Sequence, residues 1–140
     1  MAGKTIHVDI VSAEGEIFAG EAETVFVPAK EGELGITPRH APLLTLIKAG
    51  EVRVKTGEAE QSVFVSGGAL EVQPHKVTIL ADTAIRAHDL DEAAALAAKQ
   101  RAEDALAGAH EKIDQARAES ELAQVIAQLK LIEKIRKTRA

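Results

Sequence analysis

The apolar residues of this chain change their period once, and that change divides it. Up to about residue 86 they alternate. Ile6, Val8 and Ile10 share one face of an extended segment, with His7 and Asp9 on the other. Val52 and Val54 alternate with Arg53 and Lys55, and Val63/Val65, Leu70/Val72 and Val77/Ile79 repeat the pattern. A period of two marks half-buried strands. Past His88 the alternation stops. Nine of the 17 residues from Ala93 to Ala109 are alanine, the residue with the highest helix propensity. A β body over residues 1–86 followed by a helical arm over residues 89–139 satisfies both patterns.

Turn signals divide the first part finely: Glu14-Gly15-Glu16, Ala49-Gly50-Glu51, Thr56-Gly57-Glu58, Ser66-Gly67-Gly68 and Gln73-Pro74-His75-Lys76. Many short strands joined by tight turns predict an antiparallel sandwich or barrel. No helix-length segment separates the strands, which argues against a parallel α/β sheet. In the second part Asp89 is the expected N-cap, with Glu92 three residues on at capping-box spacing. Helix one is expected to end near Ala107, with a turn at Gly108, Ala109 and His110. Helix two is expected from about Glu111 towards Arg139, with Leu122, Val125, Ile126, Leu129, Ile132 and Ile135 at helical spacing. Helix one has few large apolar residues, chiefly Leu90, Leu96 and Leu106. The spacing predicts an antiparallel hairpin, large side chains of one helix on the alanine face of the other. Such a pair packs closely and separates cheaply.

Composition narrows the function. Cysteine is absent, which excludes disulfides, thiolate metal sites and cysteine nucleophiles. The start of the chain lacks the basic-then-apolar pattern of a signal peptide, and no apolar run approaches the roughly 20 residues that span a bilayer. Membrane association is therefore expected only through a partner. The aromatics are Phe18, Phe26 and Phe64, and the net charge is −5; both features argue against nucleic acid. The charge is uneven: Lys130, Lys134, Arg136, Lys137 and Arg139 stand against Glu133 in the last eleven residues, a net +4. This basic tip is either a solvated helix end whose cations suit the C-terminal dipole or a surface that seeks an acidic partner.

Catalytic signals are missing. The histidines His7, His40, His75, His88 and His110 form no short-range metal pair. Ser66-Gly67-Gly68 lacks the context of a nucleophile elbow or a phosphate loop and reads as a hairpin turn needing positive φ. The punctuated segment Glu31 to Leu44 is either a bulge and corner of the sandwich or a rim that presents Glu33 and His40 to partners. A small-molecule binding module would need an apolar concavity with convergent polar groups. A jelly-roll hydrolase would need a histidine–carboxylate cluster inside the barrel. Neither is marked.

Four segments, VSAEGEIFAG, EGELGITPRHAPLL, SGGALEVQPHKVTILADTAIRAHDLDEA and ELAQVIAQLKLIEKIRK, occur in order over nearly the whole chain. In these the chain resembles the epsilon-chain family of bacterial F-type ATP synthases. The resemblance implies a ten-stranded β-sandwich and a two-helix hairpin, present in one copy in the central rotor. It implies a non-catalytic subunit, peripheral on the cytoplasmic face of the bacterial plasma membrane. The sandwich would bind the gamma subunit and the membrane ring of c subunits, passing torque between ion flow and nucleotide chemistry. Glu33 matches the loop that meets the c ring, and Ser12, His40 and Thr45 match positions facing gamma. The C-terminal helices would restrain ATP hydrolysis by opening beside gamma into the alpha/beta head, where the basic tip would find its acidic surface. About 50 residues of continuous helix span roughly 75 Å, long enough for that reach. Some relatives bind ATP at the start of helix one through a Leu/Ile-Asp-x-x-Arg-Ala pattern. Here the stretch is Leu90-Asp91-Glu92-Ala93-Ala94-Ala95. Ala94 replaces the arginine, which removes a bidentate cationic partner for a triphosphate. Asp91 alone is a weak ligand, so no cofactor is expected.

Overall fold

The computed structural model describes residues 4–139, with side chains described as far as Lys137. The chain divides between Ala87 and His88 into two compact units. Strands of the first unit are β1 (Ile6–Ser12), β2 (Gly15–Ala22), β3 (Thr24–Ala29), β4 (Gly32–Ile36), β5 (Leu43–Ile47), β6 (Gly50–Thr56), β7 (Ala59–Val65), β8 (Gly68–Gln73), β9 (Lys76–Ala81) and β10 (Ala84–Arg86). They form one ten-stranded sheet in the order β10-β7-β6-β3-β5-β8-β9-β1-β2, with β4 paired to β3. The sheet folds over at β3, which pairs with β4, β5 and β6, so its two halves enclose one core as a sandwich.

The core consists of the alternating residues. Ile6, Val8, Ile10, Val25, Val27, Val52, Val65, Leu70, Val77 and Ile79 are fully buried or nearly so. β-branched side chains dominate because they lose little rotamer freedom on a pleated surface and fill it well. Of the aromatics, Phe18 packs against the edge of this cluster, Phe26 is half-buried and Phe64 is fully buried.

Pairing is antiparallel throughout except between β1 and β9, which run parallel from His7/Lys76 to Val11/Leu80. No turn joins these two strands, so nothing forces them to be antiparallel. Ser66-Gly67-Gly68 is also not a hairpin. β7 pairs with β6 and β10, and β8 with β5 and β9, so the segment carries the chain from one half of the sheet to the other. Both glycines do have positive φ, 125° at Gly67 and 143° at Gly68. The crossing is fixed by Ser66, whose N–H donates to Thr83 O at 3.0 Å and whose Oγ accepts from Thr83 N at 2.8 Å.

The second unit is a helical hairpin. A short 3₁₀ turn (Ala87–Asp89) precedes α1 (Glu92–Ala107), and α2 runs Lys112–Arg139. The N-cap is Asp91, not Asp89: its Oδ1 accepts from Ala94 N at 3.2 Å. The 3₁₀ turn takes up the residues at which the helix was expected to start, and the third helical position is then Ala94 instead of the Glu92 that a capping box would use. Arg136, near the end of α2, pairs with Glu92 at the start of α1, so the helices are antiparallel. Buried positions in this unit are small: Ala95 and Ala102 in α1, Ala118 and Val125 in α2. Leu131 is buried as well, whereas Ile126 of the expected stripe is exposed.

On the outward face beside the parallel seam, His7 stands between two carboxylates. Nε2 lies 2.8 Å from Asp9 Oδ1 and Nδ1 3.0 Å from Glu21 Oε2, and Lys76 Nζ lies 3.4 Å from Asp9 Oδ2. The hydrogen bond to Asp9, then that to Glu21, raises His7 above 6.5. Partial desolvation works to raise Asp9, but the hydrogen bonds from His7 and Lys76 hold it below 3.8.

A Cβ at residue 68 would lie 2.0 Å from the backbone oxygen of Leu80. With the positive φ, Gly68→Ala should cost about 3 kcal/mol or more in denaturant unfolding, against about 1–2 kcal/mol for Gly15→Ala, where a Cβ meets nothing within 4 Å and only the strain at φ 128° remains. The His7 contribution is complete below pH about 6.5 and lost as pH rises through its raised folded value; that of Asp9 is lost as pH falls below 3.8. His7→Gln should therefore lower stability more at pH 5.5 than at pH 8.5. With the imidazole 40% exposed, the difference should stay under about 1 kcal/mol.

Candidate functional site

Three surfaces carry the residues singled out from the sequence. The first is the outward face of β6, β3 and β4. Antiparallel register sets Phe26 between Gly35 of β4 and Arg53 of β6. The Arg53 guanidinium lies over the Phe26 ring, 4.2 Å from its centroid. Its Nη2 is 3.1 Å from Glu33 Oε1, its Nη1 3.8 Å from Glu60 Oε1 and its Nε 4.0 Å from Glu51 Oε1. Glu33 therefore sits on a rim hairpin as an exposed carboxylate held by a half-buried cation. Sequence reasoning placed Arg53 on the face opposite Val52 and Val54 but gave it no role. The usable signal was its place on the same face as an aromatic one strand away, and that needs the register.

The second surface lies on β5, β8, β9 and β1. Leu46 pairs with Ala69, Ala69 with Leu80, and Leu80 with Val11. These positions form one row across four strands. Leu46 is 56% and Leu80 52% exposed, and Leu44, one pleat along, is 74% exposed. Ser12 closes β1, buried, with its Oγ accepting from Glu14 N at 3.3 Å and donating to Gly15 O at 3.5 Å. Thr45 is half-buried and shares its side of β5 with Leu43 and Ile47. His40 is half-buried in the preceding loop, where Nδ1 donates to Ala41 O at 2.7 Å. That loop is pinned by Arg39, the residue with positive φ (67°) that is not glycine among those described, whose N–H donates to Pro74 O at 2.7 Å. The exposed groups here are thus the leucines more than Ser12, His40 or Thr45. They were hard to see because Leu43-Leu44-Thr45-Leu46-Ile47 is apolar on both faces.

The third surface is the end of α2. Lys130, Lys134 and Lys137 follow one another at helical spacing, with Glu133 among them, on one open face of the helix. Lys137 also pairs with Glu133 at 3.4 Å. Arg136 is turned to Glu92, and the side chain of Arg139 lies outside the described residues. At the start of α1 the carboxylate of Asp91 is engaged as the cap, and Ala94 supplies only its backbone N–H.

Among the described residues no group of three or more histidines and carboxylates is placed to hold a metal ion. The His7–Asp9–Glu21 cluster lies on the outside of the sandwich, and both ring nitrogens are already taken by carboxylates. Among the described residues no helix is long and apolar enough to cross a membrane.

Residues 5–87 match the model of the ATP synthase delta/epsilon chain β-sandwich domain, and residues 88–133 that of its long α-helix domain. The ATP synthase epsilon chain of Nitrosococcus oceani is 63% identical over 134 residues, covering 95% of this chain and 96% of its own length. That of Janthinobacterium sp. is 61% identical over 137 residues, covering 96% and 98%. The fold recurs in a chain of the Euglena gracilis mitochondrial ATP synthase OSCP/F1/c-ring structure (TM-score 0.77, 17% identity, 88% of this chain and 78% of that one). It recurs again in the Tetrahymena thermophila mitochondrial ATP synthase central stalk/c-ring structure (TM-score 0.68, 12% identity, 91% and 96%). With both domains matched in order over nearly the whole length, the chain belongs to the epsilon-chain family of ATP synthases.

Proposed function

We propose that this chain is a non-catalytic subunit of the central rotor of a bacterial F-type ATP synthase. One copy docks its sandwich on the gamma subunit and the c-subunit ring at the cytoplasmic face of the plasma membrane. It helps couple ion flow to ATP synthesis, and its helical arm restrains hydrolysis in the alpha/beta head. The observation that carries the regulatory part is the makeup of the hairpin. Three of its buried positions are alanine, and each buried methyl contributes on the order of 0.8 kcal/mol. Ordering a residue costs about 1–2 kcal/mol, so the folded hairpin holds by a narrow margin and a partner of modest differential affinity can open it. The Glu92–Arg136 pair adds little to that margin because both side chains are exposed.

The sandwich supports the docking part. Its sheet encloses a packed core of aliphatic side chains, suited to passing torque without deforming. The Leu44, Leu46 and Leu80 patch offers gamma an apolar surface, with His40 in the loop before β5 and with Ser12 and Thr45 on the inward side of their strands, and Glu33 faces outward from the rim, where the ring would meet it. In this reading opening the hairpin frees Arg136 to join Lys130, Lys134, Lys137 and Arg139 against an acidic surface of the head. ATP is not a regulatory ligand here, because Asp91 is used as a helix cap and residue 94 brings no cation.

Ending the chain after Arg86 should raise ATP hydrolysis by the assembled enzyme about fivefold or more. Changing Lys134, Arg136, Lys137 and Arg139 to Ala should give a smaller rise, larger at low salt than at high. Unaltered hydrolysis in both variants at both salt concentrations would remove the inhibitory role. Calorimetric titration of the isolated protein with ATP should give no saturable heat at micromolar concentrations, and a low-micromolar dissociation constant would restore ATP as a ligand.

A further inference from the structure

We propose that Arg53 is a positioning residue: it sets the Glu33 carboxylate for its contact with the ring, and the ring group that meets Glu33 is an N–H or O–H donor. The inference rests on the reading of Glu33 as a ring contact.

Arg53 occupies an unusual place for a surface cation. Its side chain is 23% exposed although it points away from the core. The guanidinium plane rests on Phe26, and its nitrogens spread towards Glu33, Glu51 and Glu60. A planar cation can stack on a ring and meet a carboxylate with its edge at the same time, which an ammonium cannot. The platform is itself fixed. A Cβ at residue 35 would lie 3.2 Å from the Phe26 ring, so Gly35 leaves the ring its room. Gly35, Phe26, Arg53 and Glu33 form one chain of contacts from the β3–β4 hairpin through the sheet and back to the rim. Each link limits the rotamers of the next.

Charge explains why the arrangement matters. One guanidinium faces three carboxylates. Without it the carboxylates repel one another, and Glu33, the most exposed of the three, is the one free to swing away from the sheet. With Arg53 in place, Glu33 Oε1 is occupied at 3.1 Å, and Oε2 remains as an acceptor. An ionised carboxylate oxygen only accepts, so the group that meets it must donate a hydrogen bond, and a carboxylate or phosphate is excluded.

The test uses the full-length chain added back to membranes that lack it, reading the concentration that half-restores ATP-driven proton pumping. Arg53→Met should raise that concentration about fivefold, a coupling typical of residues in one network, and Arg53→Lys should not rescue it, although it keeps the charge. In a Glu33→Ala background Arg53→Met should add nothing further. Additive losses would overturn the proposal. Nitrogen-15 NMR of the isolated chain reads the pair without the ring: slowed rotation of the Arg53 guanidinium should be lost in Glu33→Ala. Unchanged Arg53 signals would overturn the positioning role by itself, even if Glu33 proves to be a contact. Altered signals with undiminished pumping by Glu33→Ala would instead overturn the reading of Glu33, and this inference with it.

Discussion

A strand with apolar side chains on one face can be covered only on that face. In the sandwich this inward demand places nearly everything that points outward. Val52 and Val54 must face the core, so Arg53 cannot. Ile6, Val8 and Ile10 must face it, so His7 and Asp9 are set side by side on the surface. Register then decides which outward residues become neighbours across strands. The Phe26–Arg53–Glu33 assembly and the Leu46–Ala69–Leu80–Val11 row both arise from cross-strand pairing and not from sequence proximity.

The arm obeys a different constraint. Its buried positions are mostly methyl groups and its ends are held by polar contacts, with Asp91 capping α1 and Arg136 meeting Glu92. Polar contacts at the surface set geometry more than stability. The two units thus differ in their interiors: one is filled by branched aliphatic side chains from many strands, and the other mostly by methyl groups.

The division into units and the strand faces were legible in the sequence because hydrophobic period is a local property. What was missed depended on non-local choices. The helix cap fell on Asp91, because the 3₁₀ turn extended to Asp89, and both aspartates are good caps on local grounds. The glycines at 67 and 68 announced positive φ correctly, but which strands they would join was settled by pairing partners far along the chain. Leu131, outside the expected stripe, is buried, and Ile126, within it, is exposed. The role of Arg53 depended on an aromatic 27 positions earlier and a carboxylate 20 positions earlier, a relation no short motif records. Glu33 and His40 were raised as partner-facing by the punctuated segment Glu31 to Leu44 and Thr45 by the resemblance alone, since nothing in their local pattern distinguishes a partner contact from a turn.

The parallel seam between β1 and β9 bears on how the molecule is made. Residues 7–11 leave the ribosome early, while their partners at 76–80 follow much later. At about 5–20 residues per second, the first strand waits several seconds with one edge unpaired. Its other edge is taken sooner by β2, which leaves a lone hairpin of marginal stability in water. The nascent chain therefore cannot close its core until nearly all of the sandwich has been synthesised, and through that interval the open edge of β1 is its point of risk for pairing with a neighbouring chain.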